Sequence, residues 1–318
     1  MAPTGTIHGV LLSDTFDLKT FYKLDFEGVH EDVRLLNPDE VEDPAAIRFA
    51  VCWLPGPDAF APYPNLEMAM SVGAGVDDLL AHDGLNEGIA ICRVRDPYQA
   101  ELMAGFAAHE VLHLERDFPA YAANQAEATW NPLPLRPPHA LKIAVLGHGS
   151  MGAAVTRALA VLGFSVSVAC RRPPATPIEG VTYCTGESAI SEAASGADVL
   201  INVLPLTPET HGILARPLFD KVAPGCWLVQ IGRGEHLNEA DFTAALEGGQ
   251  LKGASLDVFA TEPLPAGHAF WSDPRIRITP HIASDTTPHI VCEQALQSAR
   301  DVLAGKRPRL AVDRAQGY

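Results

Sequence analysis

Lys142-Ile143-Ala144-Val145-Leu146-Gly147-His148-Gly149-Ser150-Met151-Gly152 joins a buried-strand pattern to a glycine-rich turn, and Ala153 to Leu162 continue it as a helix. A lone G-x-G-x-x-G says little, but strand before and helix after is the context that gives it meaning. In such a unit the first glycine makes the tight turn and the second lets backbone approach a pyrophosphate. The third lets helix pack on strand, while the helix N-terminus offers N–H donors and a positive dipole. Gly147, Gly149 and Gly152 therefore predict a dinucleotide site. His148, at the variable position, is expected to face solvent.

The next strand, Ser165 to Cys170, bears on which dinucleotide. About 20 residues past the turn, NAD enzymes place an Asp or Glu on the ribose 2′-hydroxyl. This chain reads Cys170-Arg171-Arg172-Pro173 there, with no carboxylate to repel a 2′-phosphate and two guanidiniums to grip it. NADP(H) is favoured over NAD(H).

Outward from this unit, apolar runs alternate with helical patterns, which predicts an α/β chain with parallel sheets. Ile7 to Leu12, Arg48 to Leu54 and Gly88 to Val94 read as strands, with an acidic, turn-rich segment between the first two. An uninterrupted helical pattern runs from Tyr98 to about Ala123. It ends in Trp130-Asn131-Pro132-Leu133-Pro134-Leu135-Arg136-Pro137-Pro138, a connector that neither helix nor central strand tolerates. At 318 residues two domains are expected.

The 23 basic and 39 acidic residues leave a net charge of −16, a poor field for nucleic acid or anionic lipid. No uncharged run reaches the ~20 residues of a membrane span. The N-terminal residues lack the basic opening of a secretory signal, so a cytoplasmic protein is expected. Cys52, Cys92, Cys170, Cys184, Cys226 and Cys292 are widely spaced, mostly in apolar runs, and read as reduced core residues.

His109-Glu110-Val111-Leu112-His113 matches the zinc-hydrolase pattern H-E-x-x-H. No second signature follows, and the Pro-rich connector cuts the helix that would carry a third ligand; no metal is expected. Three later segments end apolar runs in polar groups: Arg233 between glycines, Glu262 before Pro263, and His281 after Pro280. Ligands of open α/β sheets bind outside the carboxyl ends of strands. Reduction of a 2-oxo acid needs a cation for the carboxylate, a donor for the oxygen gaining charge, and a proton source. Arg233, Glu262 and His281 supply that set.

At these residues the chain resembles the D-isomer-specific 2-hydroxyacid dehydrogenases, most nearly the glyoxylate/hydroxypyruvate reductase A branch. Ser71-Val72-Gly73-Ala74-Gly75-Val76-Asp77, the Trp130 to Pro134 connector, Leu256 to Pro265 and Val312 to Tyr318 carry the likeness. The resemblance implies two Rossmann-like doubly wound domains separated by a cleft. Residues 1–96 plus 288–318 would form the substrate-binding domain, and 97–287 the NAD(P)-binding domain, whose arm, about 98–138, would wrap a second subunit in a homodimer.

It also implies NADPH-dependent reduction of glyoxylate and hydroxypyruvate. His281 would be the acid/base, Glu262 its partner and Arg233 the clamp on substrate. Backbone N–H groups of Gly73, Ala74 and Gly75 would hold the substrate carboxylate, with Trp53 walling the pocket. Asp257 would meet the nicotinamide carboxamide and Leu204-Pro205 would lie against the cofactor. Ser150, Met151, Ile231, Gly232 and Ser284 complete the candidate cofactor set. Gln230 departs from the Asn common before the catalytic arginine, which leaves the hydrogen bonding of the clamp open. A larger 2-oxo acid, a nucleotide-sensing binding protein or an H-E-x-x-H zinc hydrolase are the rival functions.

Overall fold

The structure, a computed structural model, describes residues 7–15, 17–22 and 33–314. Contacts divide it into two compact units, one running to Tyr98 and resuming at Asp285, the other Gln99–Ser284. In the first unit the chain forms β1 (Ile7–Leu12), α1 (Leu18–Phe21), β2 (Val33–Leu36), β3 (Ile47–Cys52), β4 (Met68–Ser71), α2 (Asp77–Ala81) and β5 (Ala90–Arg93). All pairings are parallel, in the order β2-β1-β3-β4-β5. This is one of the common doubly wound orders.

The second unit contributes α3 (Pro97–Glu115, beginning in the first unit's last residues), α4 (Phe118–Ala126), β6 (Lys142–Leu146), α5 (Ser150–Val161) and β7 (Ser165–Ala169). It continues with β8 (Val181–Cys184), α6 (Ala189–Ala194), β9 (Val199–Asn202), α7 (Arg216–Phe219) and β10 (Cys226–Gln230). The unit closes with α8 (Glu239–Glu247), β11 (Leu251–Leu256) and β12 (Ile276–Ile278). Its seven-stranded parallel sheet has the order β12-β11-β10-β9-β6-β7-β8, in which the winding reverses beside β6. The Pro-rich connector stays outside regular elements until a short 3₁₀ turn at Pro138–Ala140.

Both sheets are covered on both faces, as parallel sheets require. In β6, Ile143 and Val145 pack into one core while Ala144 and Leu146 pack into the other. In β1, Leu11 faces one core and Val10 and Leu12 the other. The last helix, α9 (Pro288–Leu303), returns to the first unit and buries Val291, Ala295, Leu296 and Ala299 against Phe49, Val51, Met68 and Met70. Among the described residues no helix is long and apolar enough to cross a membrane.

Three expectations change. The continuous helix from Tyr98 breaks at Asp117, which takes φ 53. Pro119 has no N–H and its ring would clash with the preceding turn, so a second helix must start there. The strand expected over Arg48 to Leu54 stops at Cys52, and Leu54 takes φ 43. The turn-rich segment after β1 holds β2, and β4 was not anticipated. Met68-Ala69-Met70-Ser71 lacks the β-branched residues that announce a strand, but every one of them is buried at mid-sheet.

Candidate active site

The switch in winding puts the end of β6 between β7 and β9, with Leu146 opposite both Ala169 and Asn202. Gly147 then turns at φ 104, donating its N–H to the Ala169 carbonyl at 3.0 Å. A Cβ there would lie 3.0 Å from the Val203 carbonyl oxygen, and one on Gly152 only 2.1 Å from that of Gly147. Helix α5 thus packs against its own turn at the third glycine. A Cβ on Gly149, by contrast, would meet nothing within 4 Å. Space at that residue, which caps α5, is left open by the protein itself. The first N–H groups of a helix lack intrahelical acceptors; those of Ser150, Met151 and Gly152 form the donor cradle that suits a pyrophosphate.

His148 does not face solvent as expected. It is half-buried, its ring meets Tyr183 edge-on with centroids 5.2 Å apart, and its buried Nδ1 has no hydrogen-bond partner among the described residues. Burial, with Arg157 nearby, holds the imidazole below its ordinary pKa. Arg171 and Arg172 leave the end of β7 beside the turn, both exposed.

Three further strands of the same sheet present the candidate reactive groups. Arg233 follows β10, half-buried, with Nη1 donating to the Gly232 carbonyl at 2.8 Å. A Cβ on Gly234 would lie 1.8 Å from the Phe259 carbonyl carbon, so this loop presses against the one after β11. That second loop carries Glu262, whose Oε1 accepts the Phe259 N–H at 2.9 Å. Its Oε2 lies 2.8 Å from Nδ1 of His281. His281 itself takes φ 55, in the left-handed region that an L residue occupies only when its surroundings hold it there.

What holds it is Asp257, 1% exposed at the end of β11. The Asp257 carboxylate accepts the Thr279 hydroxyl at 2.6 Å and the N–H groups of Ile282 and Ala283 at 2.8 and 2.9 Å. Its backbone carbonyl accepts the His281 N–H at 2.8 Å. Ser284 caps this turn by donating to the Gln99 carbonyl at 2.9 Å.

A family model described as the NAD binding domain of D-isomer specific 2-hydroxyacid dehydrogenases matches residues 108–283. The glyoxylate/hydroxypyruvate reductase A of Serratia proteamaculans is 39% identical over 275 residues, 85% of this chain and 87% of the relative. The chain belongs to the D-isomer specific 2-hydroxyacid dehydrogenase family. Among solved structures, the dehydrogenase of this family from Xanthobacter autotrophicus Py2 in complex with NADPH superposes with a TM-score of 0.85 at 33% identity. That match covers 98% of this chain and 99% of the other. The NADPH-dependent glyoxylate/hydroxypyruvate reductase from Sinorhizobium meliloti, in complex with NADP and sulfate, superposes with a TM-score of 0.87. It is 28% identical and covers 98% of this chain and 99% of its own.

As a 2-hydroxyacid dehydrogenase the protein is a nicotinamide-dependent oxidoreductase, and the first unit holds its remaining candidates. Trp53 stands over Gly73, where a Cβ would lie 3.1 Å from the indole. The Gly73 N–H is engaged by Ser71 Oγ at 3.1 Å. Ala74 and Gly75 have N–H groups with no protein acceptor among the described residues.

Two features of the dehydrogenase were not foreseen. Asn202, Gln230 and His236, all fully buried, form a polar cluster behind Arg233. Only Gln230 drew notice, and its amide answers the question it raised: Nε2 donates to the Arg233 carbonyl at 2.8 Å while Oε1 accepts the Gly232 N–H at 3.2 Å. Leu204 and Pro205 border the same cluster. The H-E-x-x-H glutamate has another occupation. Glu110 is buried, accepts the Ser255 hydroxyl and lies 3.4 Å from Nη2 of Arg277, pinning α3 to the sheet. Among the described residues no group of His, Cys, Asp or Glu is placed to hold a metal.

Proposed function

We propose that the protein reduces small 2-oxo acids, glyoxylate to glycolate and hydroxypyruvate to D-glycerate, with NADPH favoured over NADH. The observation that carries this reading is the His281–Glu262 pair, Nδ1 to Oε2 at 2.8 Å, on the loops after β12 and β11. NADPH, when bound, supplies the hydride. With Nδ1 committed to the Glu262 carboxylate, it is Nε2 of the protonated ring that hands a proton to the substrate oxygen, leaving the ring as its neutral Nδ1–H tautomer. The Phe259 N–H keeps Glu262 turned toward the ring. Arg233 offers a planar fork to the substrate carboxylate and its carbonyl oxygen.

In the first unit, Ala74 and Gly75 offer N–H groups suited to a carboxylate, with Gly73 aligned by Ser71 and Trp53 standing over it. The Asp257 carboxylate retains acceptor capacity for a nicotinamide carboxamide, and Ser150, Met151 and Gly152 offer the pyrophosphate its cradle, with Gly149 leaving it room. Ile231, Gly232, Leu204 and Pro205 line the adjoining strand ends. Arg171 and Arg172 are the partners proposed for the 2′-phosphate. The activities named for the Serratia and Sinorhizobium relatives support this choice of substrates and nucleotide. A homodimer is proposed as well: Leu102, Phe118, Trp130 and Leu135 leave from 51% to 98% of their surface exposed along one arm.

His281→Ala should lower glyoxylate reduction on the order of 10²–10⁴-fold, measured by NADPH absorbance. A wild-type rate in this variant would remove His281 as the acid. Size-exclusion chromatography with light scattering checks the dimer; a monomer at micromolar concentration overturns it.

A further inference from the structure

Asn202 and Gln230 close β9 and β10 as paired residues, and Asn202 Nδ2 donates to Gln230 Oε1 at 2.8 Å. His236 sits on the short turn that follows Arg233, fully buried. Its Nδ1 accepts the Arg233 N–H at 3.0 Å and lies 3.0 Å from the Asn202 amide nitrogen. With two donors aimed at Nδ1, the ring proton belongs on Nε2, which donates to the Pro205 carbonyl at 3.3 Å. Asn202 Oδ1 accepts the Leu204 N–H at 3.3 Å. A Cβ on Gly232 would come within 2.8 Å of Asn202 Nδ2 and 2.9 Å of His236 Nδ1, so that glycine leaves room for the ring.

Arg233 lies just beyond the sheet, and side chains hold both polar groups of its backbone: His236 the N–H, Gln230 the carbonyl. The same imidazole reaches the Leu204–Pro205 turn after the neighbouring strand. We propose that His236 is a positioning residue whose neutral ring, through its Nδ1 acceptor, sets the backbone from which the Arg233 guanidinium is aimed. This rests on Arg233 being the substrate clamp. A buried histidine with only a packing role would support stability and leave every substrate equally affected. One that acts through Arg233 matters most for substrates carrying a carboxylate.

Two isosteric replacements separate the ring's two nitrogens. His236→Asn keeps an acceptor near the Nδ1 position and gives up the Pro205 contact. His236→Gln reaches toward Pro205 and gives up the acceptor for Arg233. Steady-state kinetics with glyoxylate and with a 2-oxo amide lacking the carboxylate, alongside melting temperatures, provide the readout. His236→Gln should lower kcat/KM for glyoxylate about ten- to a hundred-fold, chiefly through KM, as misplacement of a substrate-binding group does. The amide, which keeps only the Arg233 contact to its keto oxygen, should lose clearly less than glyoxylate, and His236→Asn should stay near wild type. In an Arg233→Ala background His236→Gln should add almost nothing, because both act through one group.

Equal activity of the Asn and Gln variants, equal losses for acid and amide, or an undiminished loss in the Arg233→Ala background each overturns the proposal. An impaired Arg233→Ala beside a wild-type His236→Gln sinks it alone. An Arg233→Ala enzyme with wild-type kcat/KM removes the clamp reading beneath it.

Discussion

The two glycine-bearing loops at strand ends, Gly147 to Gly152 after β6 and Gly73 to Gly75 after β4, look alike in sequence and differ in what demands the glycine. At Gly147 the backbone demands it, with φ 104, and at Gly152 packing does, with Gly147 carbonyl oxygen 2.1 Å from a would-be Cβ. The turn then opens the 12-residue α5, whose N-terminus concentrates donors and dipole. At Gly73 the φ is ordinary and the nearest obstacle is the edge of the Trp53 indole at 3.1 Å. That loop leads into a helix of five residues and offers individual N–H groups. In the proposed function the first loop cradles a doubly charged pyrophosphate. The other is shaped by a side chain and suits a small carboxylate.

Substitutions probe that contrast. Gly152→Ala should do the greatest harm: overpacking against backbone costs about 1–3 kcal/mol, and the turn cannot keep its shape. NADPH affinity should fall by more than about 100-fold, with a lowered melting temperature. Retained affinity would show that helix and turn separate without consequence. Arg171→Ala should follow, losing about ten- to a hundred-fold in NADPH affinity, the range for charge-assisted hydrogen bonds, while NADH binding holds. Parallel titrations of the two nucleotides check this, and equal losses would place the guanidinium elsewhere.

Gly149→Ala should unfold nothing, since its Cβ meets no protein atom, yet weaken NADPH by roughly ten-fold through loss of close backbone approach. Unchanged nucleotide affinity would erase the distinction drawn between the second and third glycines. Gly73→Ala should be mildest. It should leave nucleotide binding alone and raise KM for the 2-oxo acid a few-fold as the indole shifts, read from steady-state kinetics.

Sequence reading reached the sites where local chemistry and long apolar runs coincide. The strand at Lys142–Leu146 and its helix emerge because a buried parallel strand is written in β-branched residues and the turn in glycines. Glu262 and His281 were legible as types at strand ends, and the structure brings them together. It showed less where burial overrode propensity, as in β4, or where one proline outweighed periodicity, as between α3 and α4. Leu102 fits the helical pattern yet is half exposed, because Ala104, Ala107, Val111 and Leu114 form the buried face.

Read alone, the 318 residues determined the class of fold, the glycine-rich turn between strand and helix and the types of polar group at the candidate strand ends, since each is encoded by neighbours within a few positions. Tertiary structure decided the rest. Only sheet order sets Asn202 beside Gln230 and lets His236 reach both loops. Only the return of the chain past β11 gives Asp257 the amides that hold His281 in its left-handed conformation. Such contacts join residues far apart along the chain, and no local pattern records them, because their stability comes from excluding water around polar groups that must then find one another.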